Sequence, residues 1–133
     1  MIIRKGEINQ VVITVTEQTT ISSPYYLFEF ISKATKIPTY CIAQATTTAR
    51  CDTFQITEKS NPVAASGEVS LAEGDYTYKV YQQSSSTNTD PNNTTVAASG
   101  FAYVEIGLCR VPSSGNEVTE YSGSDTTYKE YNG

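Results

Sequence analysis

Apolar and polar residues alternate along most of this chain, and the alternation predicts strands. Val11, Ile13 and Val15 share one face of the stretch from Asn9 to Thr16, with Val12, Thr14 and Thr16 on the other. Tyr26, Phe28 and Phe30 share a face of the segment Tyr25 to Ile31, and Glu29 on the opposite face marks the side expected to meet solvent. Further strands are expected over Pro38 to Gln44, Asp52 to Thr57 and Gly67 to Leu71. Two more follow over Asp75 to Gln82 and Phe101 to Leu108. No stretch carries a convincing helical period. The pattern places Val11, Ile13, Val15, Tyr26, Phe28, Phe30, Ile42, Phe54, Ile56, Val69, Leu71, Tyr78, Val80, Val104 and Ile106 in the core.

About seven short strands separated by turn residues indicate an all-β sandwich or barrel. One motif narrows the choice. Leu71-Ala72-Glu73-Gly74-Asp75-Tyr76 has the form L-x-x-G-x-Y, with five candidate strands ahead of it. In immunoglobulin-like sandwiches a Leu closes one strand at this corner and a Gly makes the turn. A Tyr then opens the next strand and bonds back to the backbone upstream. The reading is therefore a single immunoglobulin-like, Greek-key sandwich over residues 8–111, with an arm at residues 1–7 and a C-terminal arm or added strands at residues 112–133. Leu71, Gly74 and Tyr76 form its tyrosine corner.

Composition supports strands and polar loops. The 133 residues include 19 Thr, 14 Ser and 10 Tyr. The chain has 9 basic and 14 acidic residues, a net charge of -5, which argues against a general grip on nucleic acid. No apolar run is long enough for a membrane helix, and no apolar leader follows Met1. With no His in the chain, the commonest general base and metal ligand is missing. Cys41, Cys51 and Cys109 are an odd set without CxxC spacing, so they read as thiols in a reducing compartment. A loop closed by Cys41 and Cys51 is the alternative if the protein is exported. No G-x-S-x-G, S-x-x-K or phosphate loop occurs. Asn88, Asp90, Asn92 and Asn93 offer oxygen ligands, but a single carboxylate is too few for tight calcium binding. The expectation is a protein without catalytic residues, metal or cofactor.

The ends carry apolar and aromatic side chains with no obvious place in a seven-strand core. Ile2, Ile3 and Arg4 at one end, and Tyr121, Tyr128 and Tyr131 at the other, are the candidate interaction residues. The Ser84 to Thr95 stretch is almost entirely polar and is expected to be a mobile loop turned away from any partner.

The segment Gln10-Val11-Val12-Ile13-Thr14-Val15-Thr16-Glu17, the run Thr19 to Phe30, the stretch Gly74 to Asn88 and the final Lys129-Glu130-Tyr131-Asn132 resemble small virion proteins of tailed phages infecting Bacteroidetes, the crAss-like phages among them. The resemblance carries strands and turns, not a catalytic signature. It implies an immunoglobulin-like auxiliary protein that decorates the capsid in many copies, with the major capsid protein or other virion proteins as partners. It also implies assembly in the bacterial cytoplasm and a place in the virion, without nucleic acid or membrane. Two alternatives stay open. One is another virion position, such as a head-fibre base or tail ring. The other is a carbohydrate- or host-surface-binding module, for which Tyr25, Tyr81 and Tyr103 are the stacking candidates.

Overall fold

The computed structural model describes residues 1–47, 51–93 and 103–113. They fold as two packed sheets. Strand β1 covers Ile8–Ile13, β2 Tyr25–Ser32, β3 Pro38–Ala43 and β4 Thr46–Thr47. Strand β5 covers Asp52–Glu58, β6 Glu68–Val69, β7 Gly74–Gln83 and β8 Glu105–Val111. One sheet runs β1-β5-β4 with β6 also on β5, and the other runs β3-β2-β7-β8. All strand pairings are antiparallel except the short β5–β6 contact. The expected all-β sandwich is thus present.

On β2 and β5 the inward faces are the ones the alternation selects. Tyr26, Phe28 and Phe30 from β2 meet Phe54 and Ile56 from β5, with Val11, Val15 and Val80 around them. Phe54 stands edge-on to both Tyr26 and Phe28, at ring separations of 5.3 and 4.9 Å, a favoured aromatic geometry.

Four expectations need correction. First, residues 1–7 do not form a separate arm. Ile3 donates its N–H to the Arg110 carbonyl at 3.1 Å, and Arg110 donates to the Met1 carbonyl at 2.9 Å. This parallel bridge covers part of the β8 edge and drives Ile3 fully into the core. An apolar side chain beside an open edge is better placed there than in water. Second, the last strand begins at Glu105, and its inward face carries Gly107, Cys109 and Val111. Ile106, expected inside, is 47% exposed. The reason lies at Gly107: a Cβ there would sit 2.7 Å from the Tyr78 ring, so the ring occupies the space a side chain would take. Third, Ile42 is buried with Leu27 and Tyr81 on the outer side of its sheet, while Cys41 takes the core position. Fourth, Glu29 does not face solvent. Tyr40, its register partner on β3, and Tyr81, diagonal to it on β7 beyond the register partner Lys79, donate their hydroxyls to its carboxylate at 2.9 and 3.1 Å and cover it.

Candidate interaction surface

Buried polar side chains fix the loops that frame the molecular surface. Each is satisfied by the backbone of a neighbouring segment, as burial requires. Asn9 accepts from the Arg4 N–H at 2.8 Å and donates to the carbonyls of Arg4, Glu7 and Ile56. Asp52 accepts from the Val15 N–H and the Thr47 hydroxyl. Gln82 accepts from the N–H groups of Thr20 and Ile21. Gln83 donates to the carbonyls of Ser85 and Asn88 and accepts from the Asn88 amide. The described part of the polar loop after Ser84 is therefore held against the end of β7 by its own hydrogen bonds.

Glu58 joins three segments. It accepts from the Gly6 N–H at 2.8 Å, the Leu71 N–H at 3.0 Å and the Lys5 ammonium at 3.5 Å. Burial alone would raise its pKa; the two backbone donors and the Lys5 charge outweigh that and hold it below the usual carboxylate range.

The corner motif behaves as its residues require. Leu71 is buried, Gly74 adopts φ 143°, a conformation L side chains rarely take, and Tyr76 donates its hydroxyl to the Ala72 carbonyl at 2.7 Å. Their role is structural.

The candidate interaction residues separate. Ile3 is unavailable because it is in the core. Ile2 is 52% exposed and Arg4 is exposed beside it. Tyr121, Tyr128 and Tyr131, with residues 114–133, lie outside the described residues. The sequence reading missed the outer side of β8, where Ile106 and the 64% exposed Leu108 stand two residues apart. Tyr103, just before the strand, is also exposed and carries the Lys79 ammonium 5.4 Å from its ring centre. Seen only as an alternating strand, this segment has two possible parities. The lone glycine at 107 was the available sign that the other face was inward.

Between the β1 edge and the β8 side lies an open cleft of about 360 Å³, lined by Met1, Ile2, Gln10, Val12, Tyr78 and Glu105 among others. Tyr78 donates to the Glu105 carboxylate there at 3.2 Å, and burial followed by that carboxylate pushes its phenol up to about 12. Burial and Glu29 push Tyr40 to about 12 and also raise Tyr81. These phenols stay protonated and act as donors. Burial pushes the thiols of Cys41 and Cys109 up to about 12 and about 11, so neither supplies thiolate near neutral pH. Among the described residues no three His, Cys, Asp or Glu gather as metal ligands, and no helix is long and apolar enough to cross a membrane. Of the sugar-stacking candidates, Tyr81 is buried beneath its neighbours and Tyr25 is half-buried, while Tyr103 is exposed but already contacts Lys79 and Tyr81 through its ring.

No known family, curated protein or solved structure matches the chain.

Proposed function

We propose that the chain is a non-enzymatic virion protein, an immunoglobulin-like sandwich that decorates the capsid shell of a tailed phage. The immunoglobulin assignment is supported by strand order. Reading β2 as C and β7 as F makes β3-β2-β7-β8 the order C′-C-F-G, with β1, β4 and β5 as B, D and E opposite. The corner tyrosine then falls where strand F begins.

The observation that carries the assembly reading is the set of exposed apolar side chains at β8: Ile106 and Leu108 on its outer side, Tyr103 before the strand, and Ile2 at the bridge to Arg110. Such a set exposes apolar surface to no structural advantage in an isolated domain, and it fits a surface that docks. The major capsid protein is the proposed partner. Purified particles of a phage encoding this chain should contain it in many copies, on the outer layer of the head. Ile106→Ser and Leu108→Ser should release it from particles while leaving the domain folded. Absence of the chain from particles would sink the reading. Specific retention of the isolated domain on a glycan array would favour the carbohydrate-binding alternative.

A further inference from the structure

Strand β1 has an unusual free edge. Among the described residues it pairs with β5 alone. Glu58 donates its N–H to the Glu7 carbonyl at 3.0 Å, and Ile8 lies opposite Thr57. Because bonded and non-bonded pairs alternate in an antiparallel ladder, Asn9, Val11 and Ile13 exchange bonds with β5. Ile8, Gln10 and Val12 therefore turn their N–H and C=O groups outward. The side chains of these same three residues share the outer face, where Ile8 is 63% and Val12 is 61% exposed.

Natural sheet edges are usually blunted by a lysine, a proline, a bulge or a cover. The sequence Ile-Asn-Gln-Val-Val-Ile of β1 contains no charge and no proline. It is also self-complementary. When two copies of β1 run antiparallel about a two-fold axis at Gln10, Ile8 lies opposite the Val12 of the other copy, and each Gln10 lies opposite its own counterpart. These are the residues whose backbone groups point outward, so the register that pairs the aliphatic side chains also forms about six backbone hydrogen bonds. Shifting the register by one residue on either copy would lose both at once.

The geometry points to β1 as a self-pairing edge that joins two copies of this chain into one continuous sheet. Charge favours a second copy as the occupant. Each chain carries -5, yet the edge and its outer-face neighbours Thr53, Gln55 and Thr57 on β5 are uncharged. Glu7 would face Ile13 of the other copy and not a carboxylate. Two acidic molecules can therefore approach here without opposing like charges. A single strand edge buries less than the 1,200 Å² or so of a stable complex, so the association is weak and is populated at high concentration. This edge borders the cleft that Ile2 of the apolar set at β8 also lines, but the inference does not depend on the capsid reading.

The test uses the full chain. Sedimentation velocity should show a concentration-dependent dimer, and Val12→Lys should weaken it about tenfold or more, since a lysine on the edge opposes pairing. Gln10→Cys tests the register. Bonded antiparallel partners have Cα atoms about 5.5 Å apart, within disulfide reach. Under mild oxidation Gln10→Cys should yield covalent dimer well above the unsubstituted chain, whose own Cys41, Cys51 and Cys109 set the background. Ile8→Cys and Val12→Cys should each stay at that background alone and cross-link when mixed. A chain that remains monomeric would overturn the inference and leave the edge to a foreign strand or to residues 114–133. A dimer indifferent to Val12→Lys, or Ile8→Cys linking to itself as well as Gln10→Cys does, would overturn it too.

Discussion

Tyr76 enters β7 just after the chain turns at Gly74, and its hydroxyl reaches back to the Ala72 carbonyl at 2.7 Å. The bond closes the corner across the four residues that link Leu71 to Tyr76, and Gly74 supplies the backbone freedom the turn needs. Removing the hydroxyl leaves the ring in place and one carbonyl without its partner. Tyr76→Phe should therefore lower stability by about 1 kcal/mol with the fold intact. The urea midpoint should fall at unchanged slope; a midpoint equal to that of the parent chain would show that the corner bond contributes nothing. This residue was legible in the sequence because its spacing to Leu71 and Gly74 is local. Glu29 was not, because its covering comes from Tyr40 and Tyr81 on two other strands. A carboxylate between apolar residues reads as solvent-facing until its cross-strand partners are known.

At the scale of elements, β2 and β8 show when alternation suffices. In β2 the aromatic face is unambiguous, and Phe28 packs against Phe30 and Phe54 at ring separations of 6.2 and 4.9 Å. In β8 both faces carry aliphatic residues, so hydrophobicity cannot choose between them. Tyr78, from the neighbouring strand, decides by filling the space over Gly107. The short strand Thr46–Thr47 and the bridge from Ile2 to Arg110 were invisible for a related reason. The bridge is fixed by a partner at the other end of the chain, the strand pairs with Asp52 and Thr53 just after it, and each has too few residues for a pattern. The two strands make a paired prediction. Phe28→Ala, which empties a fully buried site, should cost about 3–5 kcal/mol. Ile106→Ser, on the exposed outer side of β8, should change stability by no more than about 0.5 kcal/mol. Thermal or urea unfolding of both variants measures the contrast. A loss above about 2 kcal/mol for Ile106→Ser would mean that the strand's inward face is the other one.

Across the whole molecule, stability depends on pH through groups that join distant segments. Glu58 links the N-terminal turn at Gly6, the end of β5 and the approach to the corner at Leu71. Its pKa is lower folded than unfolded, because two backbone donors and Lys5 favour the charged form despite its burial. A depressed carboxylate binds fewer protons in the folded state. Its contribution is thus fully present above the unfolded value of about 4.3 and is lost as pH falls through the folded value. The phenols work at the other end of the scale. Tyr40 and Tyr78 are raised to about 12 from 10.0, so the fold holds their protons more tightly than the unfolded chain does. That stabilisation is complete below 10 and drains away as pH rises toward 12. The resulting expectation is a stability plateau from about pH 5 to 9, with losses on both sides. Glu58→Gln isolates the acid limb, because the amide keeps the size of the side chain and loses the charge. At pH 7 the variant should be less stable by about 1.5–3 kcal/mol, the range for hydrogen bonds to a charged group. The difference should shrink as the pH is lowered below 4, where the parent carboxylate becomes protonated and also loses its charge. Urea unfolding at pH 7, 5, 4 and 3 follows both curves. If they run parallel over that range, Glu58 contributes no charge-dependent stability, and the acid sensitivity of the sandwich must be sought in its other carboxylates.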